Sequence, residues 1–370
     1  MSELYVGLMS GTSMDGIDAA LVEFNNHAIK LVASHSHAIP LELKEKLHHL
    51  SHNSDHASID MLGEADTELG KLFADATLEL LKKSAIDSSS ISAIGSHGQT
   101  IRHRPDLTQR FTLQIADPNQ ISYLTGITTI ADFRRKDMAA KGEGAPLAPT
   151  FHRQVFYHPD ENRAVLNIGG ISNLTFLPKD NTEHCFGFDC GPGNGLMDAW
   201  VQLHKQKPCD YAGEWAASSE PDLALTSQLM LDDFIHLAPP KSTGKEHYHL
   251  AWLNQQLAQS APVSADVVQA SLCQFTSDSI IHAVNHYLPE IDRLIVCGGG
   301  VHNTHLMQKL QNGLGNIKVE SSALHGVQPD WVEAIAFAWL ARQTQLGQTG
   351  NLPGVTGAER ELILGAIYPA

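Results

Sequence analysis

One series of segments occurs twice along the chain, and this repetition constrains the fold more than any other feature of the sequence. Residues 4–9 form an apolar run, which is followed by a turn rich in Gly, Ser and Thr and by two further strand-like runs. Residues 164–168 begin a similar series, in which Gly169 and Gly170 make the turn. Helical stretches and further strands follow each series, as in a duplicated α/β fold with a cleft between its halves. The halves share no detectable sequence identity, so a chance likeness between two ordinary α/β domains is the alternative.

Apolar periodicity predicts the elements that surround these turns. Short apolar or alternating runs predict strands at residues 4–9, 17–24, 29–32, 91–94, 111–115, 127–131, 164–168, 171–177, 185–188 and 293–296. Helical spacing predicts helices at residues 41–50, 59–82, 195–204, 223–234, 249–257, 265–287 and 331–344, with another from residue 304. The turn-prone residues 141–146 mark the predicted domain boundary. We therefore expect an N-terminal domain of residues 1–140, joined by 345–370, and a C-terminal domain of 141–344 that carries nucleotide-binding loops.

The composition is typical of a soluble globular protein. With 370 residues, the chain is too long for one ordinary core and favours two domains. Apolar residues make up 42% of it, and no run approaches the roughly 18 unbroken apolar residues of a membrane span. The first residues, Met1 to Leu4, lack the basic region and apolar core of a signal peptide. These features predict a cytoplasmic protein that contacts no membrane.

Charge and metal-ligand residues disfavour several other classes of protein. A formal net charge of −16 disfavours nucleic-acid binding, which needs a basic face for phosphate contacts. Five cysteines without a C-x-x-C pair indicate reduced thiols, not a disulfide framework or a zinc ribbon. Among 21 histidines, four are close in sequence but lack the H-E-x-x-H spacing, and we interpret them as solvated surface residues: His48, His49, His52 and His56.

Three glycine-containing turns are candidates for contacts with a nucleotide. The loop at residues 7–18 offers main-chain N–H groups and hydroxyls to phosphate, and Asp15 and Asp18 are suited to hold magnesium through water. An ordinary hairpin turn uses the same residue types. The turn at residues 167–173 is of the same kind, so two loops could clamp a polyphosphate. The third, at 298–300, lets the main chain approach a flat ligand or a phosphate closely, although a plain strand–helix turn also explains it.

Asp189 is the candidate for acid–base chemistry. It ends an apolar strand just before a rigid Gly-Pro-Gly turn, and ligands bind at such strand ends in α/β sheets. A carboxylate there can act as a general base, or it can simply cap the turn. Residues 131–137 mix three cations with two carboxylates, which is typical of a self-paired surface or of a grip on an acidic substrate. Residues 239–246 superficially resemble a phosphate loop, but their glycine spacing is wrong.

Together these segments resemble the anhydro-N-acetylmuramic acid kinases, a family of the actin/hexokinase-like sugar kinase superfamily. The resemblance covers essentially the whole chain, and the matching segments occur in the family's order. They are residues 9–16, 96–100, 131–134, 167–173, Asp189 with 191–194, 329–339 and 350–358. Two departures are visible: Cys190 stands where the family has threonine, and Lys245 where it has arginine.

The resemblance implies a fold and a reaction. The fold is a two-domain actin-like (ribonuclease H-like) ATPase architecture with a cleft between duplicated α/β domains. The reaction uses ATP and Mg²⁺ to open the 1,6-anhydro bridge of 1,6-anhydro-N-acetylmuramic acid with water and to phosphorylate the freed 6-oxygen in peptidoglycan recycling. A homodimer is also implied. The alternatives are a kinase of the same fold for another sugar and an ATP-driven scaffold, and the Asp189 turn and the Arg134 cluster favour an enzyme.

The resemblance also implies roles for single residues. Asp189 would take a proton from water, and His97, Arg134 and Glu333 would contact the sugar. The remaining assignments are contacts with ATP and its phosphates: Gly11, Thr12, Ser13, Met14, Asp15, Gly16, Ile17, Asp18, Asn167, Gly169, Gly170, Gly298, Gly299 and Gly300.

Overall fold

The chain folds into two compact units. A computed structural model describes residues 2–11, 14, 16–25, 28–52, 58–180, 184–244 and 246–370. The first unit combines Met1–Phe151 with Gly326–Ala370, and the second is His152–His325. Within the described residues, no helix is long and apolar enough to cross a membrane.

The first unit begins with a strand-rich half. Its strands are β1 (Glu3–Met9), β2 (Gly16–Asn25), β3 (Ala28–Ala38), β4 (Ile91–Ser96), β5 (Gln99–Arg104), β6 (Phe111–Ile115) and β7 (Thr129–Ala131). Its helices are α1 (Leu41–His52), α2 (Ile59–Ser84), α3 (Pro118–Thr125), α4 (Arg135–Ala139) and α5 (Ala148–Phe156). The first division between the units falls inside α5.

The second unit has fewer strands than the first among the residues that the structure describes. Its strands are β8 (Arg163–Ile168), β9 (Ile171–Leu177), β10 (Phe186–Pro192), β11 (Arg293–Cys297) and β12 (Lys318–Ser321). Its helices are α6 (Gly195–Lys205), α7 (Glu214–Ala217), α8 (Leu223–Leu229), α9 (Asp233–His236), α10 (Leu250–Leu257), α11 (Ala265–Tyr287) and α12 (Thr304–Leu314). The chain then completes the first unit with α13 (Val332–Gln345), α14 (Pro353–Thr356) and β13 (Ala366–Tyr368).

The two main sheets share one topology. In the first unit the order is β13-β7-β4-β1-β2-β3, and in the second it is β10-β9-β8-β11-β12. The central strands β1 and β8 are antiparallel to β2 and β9, respectively. Those strands are antiparallel to β3 and β10. On their other sides, β1 and β8 pair in parallel with β4 and β11, respectively. Those strands in turn pair in parallel with β7 and β12. The shared order confirms the predicted duplication and the ribonuclease H-like sheet of the actin-like fold.

Helix α13 belongs to the first unit because two glycines let it approach the sheet closely. It packs on β1 and β4. An added Cβ on Gly7 of β1 would overlap the main-chain oxygen of Ala334, and one on Gly95 of β4 would overlap that of Phe337. The expected domain limits at residues 140 and 344 therefore differ from the compact units, which divide after Phe151 and after His325.

Residues 141–146, expected to be a flexible boundary, are fixed inside the first unit. The N–H groups of Gly142 and Gly144 donate to the main-chain oxygen and to Oδ2 of Asp137, at 3.0 and 2.8 Å. An added Cβ on Gly142 would overlap that carboxylate, and Gly144 has φ 72°. The loop therefore needs glycine in order to fold onto a buried side chain, not in order to stay mobile.

Most predicted elements are present, and the exceptions have local causes. The predicted helix 223–234 is two helices, because Oδ1 of Asp232 accepts from the N–H of Phe234 and starts α9 as an N-cap. The predicted strand 29–32 extends to Ala38 as the edge strand β3. The strand predicted at 185–188 runs on to Pro192, so Asp189 lies within β10 and not at its end.

Candidate active site

A histidine and an arginine of the first unit form a direct pair. His97 follows β4, and Arg134 lies just before α4. Nε of Arg134 donates to Nε2 of His97 at 3.0 Å, and Nη2 lies 2.9 Å from the same nitrogen. The other ring nitrogen, Nδ1, lies 2.9 Å from the main-chain oxygen of Gly98. Because that oxygen can only accept, Nδ1 carries the proton and His97 is neutral.

The surroundings keep the pair in these protonation states. Burial and the charge of Arg134 hold the pKa of His97 well below its ordinary value. Burial lowers the pKa of Arg134 to about 10, while the charges of Glu333 and Asp137 favour the guanidinium. At neutral pH the pair therefore carries one positive charge, on the arginine.

A network around the buried carboxylate of Asp137 fixes Arg134. Nη1 of Arg134 donates to the main-chain oxygen of Gly144 at 2.9 Å, and the N–H of Gly144 donates to Oδ2 of Asp137. Oδ1 of Asp137 accepts from Nδ2 of Asn351 at 2.7 Å and from Oγ1 of Thr356 at 2.8 Å. The C-terminal segment thus orients the loop that holds the arginine.

Two carboxylates of the same unit, Asp18 and Glu333, interact electrostatically with each other, and Glu333 also interacts with Arg134. Asp18 is half-buried on β2; burial raises its pKa, a hydrogen bond with Ser36 opposes the rise, and the charge of Asp330 adds to it. Glu333 is an exposed residue in the first turn of α13. Desolvation of its carboxyl group nevertheless raises its pKa, and the charge of Arg134 opposes that rise. The charge of Asp18 raises the pKa of Glu333 further. The three predicted sugar contacts, His97, Arg134 and Glu333, therefore form one electrostatic group.

The N-terminal loop is a tight turn in its described part. Three residues predicted to bind ATP lie outside the described residues: Thr12, Ser13 and Asp15. Met14 has φ 55°, its N–H donates to the oxygen of Gly11 at 3.1 Å, and its side chain is buried, as is that of Ile17. Gly16 opens β2, and its oxygen accepts the hydroxyl of Ser10 at 2.9 Å. Met14 and Ile17 therefore serve the core of the first unit with their side chains.

Two turns of the second unit contact each other at the carboxyl end of β8. The main-chain oxygen of Gly169 accepts from the N–H of Asn194 at 2.7 Å. The oxygen of Gly170 accepts from the N–H groups of Gly193 and Gly195, at 3.0 and 3.1 Å. The turn after β8 and the turn that starts α6 therefore form one layer of main chain.

The third turn, residues 298–300, packs on the same end of β8. Gly298 has φ 78°, and an added Cβ there would overlap Oδ1 of Asn167. An added Cβ on Gly300 would overlap a side chain of β8. On Gly299 it would meet only Nδ2 of Asn194, at 3.9 Å. Internal packing thus requires glycine at 298 and 300, whereas the space beside Gly299 is open. The predicted residues Asn167, Gly169, Gly170, Gly298, Gly299 and Gly300 are all brought together here.

Asp189 lies at an irregularity of β10. Asp189 pairs with Asn173 and Gly191 pairs with Ser172, so Cys190 is an extra residue in the strand. Gly191 has φ 147°, a value that side-chain-bearing residues rarely adopt. A bulge of this kind bends the strand and re-aims the neighbouring side chain.

The main chain of residues 241–243 holds Asp189. The N–H of Asp189 donates to the oxygen of Lys241 at 3.1 Å, and the N–H of Thr243 donates to Oδ2 of Asp189 at 2.9 Å. Burial raises the pKa of this half-buried carboxyl to about 6; the Thr243 bond opposes the rise, Glu246 adds to it, and Lys241 lowers it. A carboxylate with this pKa is ionised at neutral pH and close to the ideal for a general base.

Comparison with known proteins identifies the family. The family model described as anhydro-N-acetylmuramic acid kinase matches residues 3–370. The chain belongs to that family. The anhydro-N-acetylmuramic acid kinase of Coxiella burnetii (strain RSA 493 / Nine Mile phase I) is 49% identical over 366 residues, which cover 99% of this chain and 97% of that protein. The enzyme of that name from Shewanella halifaxensis (strain HAW-EB4) is 50% identical over 366 residues, covering 99% and 98%.

Membership of the anhydro-N-acetylmuramic acid kinase family confirms the prediction made from the motifs, and the protein is a kinase. Among solved structures, component A of (R)-2-hydroxyglutaryl-CoA dehydratase from Acidaminococcus fermentans covers 91% of this chain and 96% of its own, at 13% identity and a TM-score of 0.49. That score is too low to support an inference.

One of the two departures from the pattern of the anhydro-N-acetylmuramic acid kinases, Cys190, is the residue that follows Asp189 in β10. Cys190 is buried, and burial raises its pKa well above the ordinary value, so it is an uncharged thiol inside the core. Lys245 lies outside the described residues. The sequence pattern missed the neighbouring Lys241 and Thr243, because their contacts with Asp189 use main-chain atoms, which no side-chain motif indicates.

Proposed function

We propose that this protein opens 1,6-anhydro-N-acetylmuramic acid with water and phosphorylates the product from ATP, giving N-acetylmuramic acid 6-phosphate. Asp189 carries the proposal. Its half-buried carboxylate has a pKa of about 6 and is oriented by a main-chain N–H in a chain of the anhydro-N-acetylmuramic acid kinase family. A group of this kind suits proton removal from water at neutral pH.

The reaction then needs one base and an aligned phosphoryl group. Asp189 accepts a proton from water as the water oxygen bonds to the anomeric carbon. The bond between that carbon and the bridging 6-oxygen breaks. The 6-oxygen attacks the γ-phosphorus of ATP, and the bond to the β–γ bridging oxygen breaks as ADP leaves. Alignment and charge neutralisation supply the catalysis of such a transfer, without a covalent intermediate on the protein.

The sugar contacts proposed for the first unit are His97, Arg134 and Glu333. A guanidinium has five N–H donors, and the contacts of Arg134 with His97 and Gly144 engage each of its nitrogens once. Donors on Nη1 and Nη2 are therefore left for a carboxylate, such as that of the lactyl group of muramic acid. Glu333 is an exposed residue, and its carboxylate oxygens are acceptors for sugar hydroxyls.

The nucleotide contacts proposed are the predicted glycine-rich turns. The open space beside Gly299 and the main-chain layer of Gly169 and Gly170 suit a ligand that approaches the backbone closely. Gly11 likewise meets no atom within 4 Å on its Cβ side. These are properties of the turns themselves, and they support the prediction that ATP contacts them.

The residues also fit magnesium that arrives with the nucleotide. The described residues contain no group of three or more His, Cys, Asp or Glu side chains arranged for a metal. Magnesium often takes only one or two carboxylates and completes its shell with phosphate oxygens and water. Asp18 would supply such a carboxylate, and so would Asp15, which lies outside the described part of the chain. When bound, the ion would neutralise charge on the phosphate oxygens.

The proposed function is tested by incubating the purified protein with ATP, magnesium and 1,6-anhydro-N-acetylmuramic acid in H₂¹⁸O. We expect ADP and a reducing sugar 6-phosphate whose anomeric oxygen carries the label in a sample quenched at once, before that oxygen can exchange with the solvent. Product without the label would instead favour a kinase of the same fold that acts on another sugar. Phosphorylation only of N-acetylglucosamine, or of another sugar without an anhydro bridge, would favour the same alternative. ATP hydrolysis unaffected by any sugar would favour a scaffold.

The role of Asp189 is tested with a matched pair of variants. Asp189→Asn keeps an oxygen to accept from Thr243 but cannot take a proton, and we expect turnover to be lost while nucleotide binding persists. Asp278→Asn is the control, because Asp278 is another half-buried carboxylate of this unit whose pKa is raised by burial. Near-normal turnover in Asp189→Asn would remove it as the base.

We also propose that the protein is a homodimer and works in the cytoplasm, where ATP is supplied. Light scattering of the purified protein measures its mass against the 40.2 kDa of one chain. A mass that stays at one chain across concentrations contradicts the dimer. Fractionation of the source cells tests the location.

A further inference from the structure

Lys241 connects Asp189 to the surrounding protein through two separate groups. Its main-chain oxygen accepts the N–H of Asp189 at 3.1 Å, and two residues later the N–H of Thr243 donates to the carboxylate at 2.9 Å. The position and direction of the carboxylate therefore depend on where residues 241–243 lie. Nothing in the proposed reaction assigns a role to this lysine.

The side chain of Lys241 points inward and is held at four places. Nζ donates to the main-chain oxygens of Phe234 and Ile235 at 3.0 and 2.9 Å, which satisfies carbonyl groups of the short helix α9. It also lies 4.8 Å from the centre of the Phe234 ring and 4.8 Å from that of Tyr287. Such cation–π contacts strengthen as water is excluded. A half-buried ammonium held by two carbonyls and two rings is a rigid anchor for the segment.

We propose that Lys241 is a positioning residue for Asp189: its side chain fixes the segment that orients the carboxylate. The charge of Lys241 also lowers the pKa of Asp189. This inference rests on the proposed function, in which Asp189 is the base. It extends that function to a residue that does not touch the substrate.

Several charged or titratable groups face this pair. Glu246 raises the pKa of Asp189 and Lys241 lowers it, while the buried thiol of Cys190 lies next to Asp189 in β10. Burial lowers the pKa of Lys241 itself, and Cys190 and Asp189 oppose that. His282 lies near Lys241 with its ring 5.0 Å from that of His236 and 4.0 Å from that of His286.

His282 does not replace the positive charge of Lys241 at neutral pH. Burial, with the charges of His286, His236 and Lys241, lowers the pKa of His282 to about 4. His282 is therefore neutral where the proposed enzyme works. Loss of the lysine charge is thus expected to act on Asp189 without compensation from His282.

The test is the pH dependence of kcat/KM for the wild type, Lys241→Met and Lys241→Arg. Lys241→Met keeps the length and apolar stem of the side chain but removes its charge. We expect its acidic limb to move to higher pH by about half a unit or more, and its kcat at the plateau to fall about tenfold. Lys241→Arg restores the charge, and we expect it to return the limb towards that of the wild type.

A matched control is Lys205→Met. Lys205 also lies over an aromatic ring of the second unit, 4.7 Å from the centre of Trp215, but it is not among the groups that shift the pKa of Asp189. Lys205→Met should leave both the acidic limb of the kcat/KM profile and the plateau value of kcat unchanged. If Lys241→Met has a wild-type limb and plateau, the inference is overturned.

A direct titration separates this inference from the proposed function. The carboxyl carbon of Asp189 can be followed by ¹³C NMR, with Asp189→Asn assigning the signal. A higher midpoint in Lys241→Met than in the wild type supports the inference even if the wild type fails to phosphorylate the anhydro sugar. Equal midpoints overturn the electrostatic part, and if Lys241→Met does not fold, Lys241→Arg against Lys241→Gln gives the same comparison.

Discussion

Arg134 donates to Nε2 of His97, while Nδ1 of the same ring faces the main-chain oxygen of Gly98. Both ring nitrogens therefore have a fixed role, one as acceptor and one as donor. Protonation of Nε2 would place an imidazolium against a guanidinium and break the bond between them. The pair consequently presents a permanent cation with a neutral ring as its support.

The first prediction is that His97 does not titrate in the neutral range. Burial and Arg134 hold the pKa of His97 well below its ordinary value, so the neutral Nδ1–H tautomer should persist throughout the neutral range. Long-range ¹H–¹⁵N NMR of protein labelled at histidine, with His97→Gln to assign the signals, measures this. A midpoint near 6.5, or an Nε2–H tautomer, would contradict the arrangement.

Asp189 leads to a prediction about stability against pH. Its folded pKa of about 6 lies above the unfolded value of 3.8, so the native protein binds this proton more tightly. The resulting stabilisation is complete below about pH 4 and is lost as pH rises through about 6. Asp189→Asn removes this loss, and we expect it to gain about 1–3 kcal/mol of unfolding free energy over the wild type at pH 7.5. Urea unfolding at pH 4.5 and 7.5 measures it, and a gain equal at both values would show that charge burial is not the cause.

The sequence predicts the main elements because burial leaves a pattern in them. The bounds of β6, β9 and α11 match the predicted ranges residue for residue. The repeated strand–turn–strand order also predicts the shared topology, since only a few sheet orders suit it. β12 and β13 were missed because they are short strands with few buried side chains, which leaves no alternation to detect.

The limits of the first unit could not be predicted in the same way. The return of α13 to β1 depends on contacts between positions more than 300 residues apart, such as Gly7 and Ala334. A glycine within a strand indicates a close approach but not the segment that approaches it. For the site, the family motifs predict Asp189 and Arg134, whereas the hydrogen bond from Thr243 is a main-chain contact with no sequence pattern.

Gly95 of the first sheet provides a stability test of the packing of α13. Gly95→Ala should lower the unfolding free energy by about 3 kcal/mol, because its Cβ would overlap the main-chain oxygen of Phe337 in α13. Gly63→Ala is the control, since Gly63 is exposed in α2 and an added Cβ meets no atom within 4 Å. It should be neutral or stabilising by up to about 1 kcal/mol, because alanine favours helix. Equal effects of the two changes in urea unfolding would contradict close packing of α13 on β4.

Asp137 links stability to the proposed sugar contacts. Its two oxygens accept from Gly144, Asn351 and Thr356, and Asp137→Asn turns one oxygen into an NH₂ group that faces a donor. We expect a loss of about 2–3 kcal/mol in urea unfolding, together with a higher KM for the sugar, because the loop that holds Arg134 loosens. Glu359→Gln is the control in the same C-terminal segment, since its ion pair with Lys141 is exposed and should matter little. A stability loss in Asp137→Asn without a change in the KM for sugar would mean that Asp137 supports the fold but does not position Arg134.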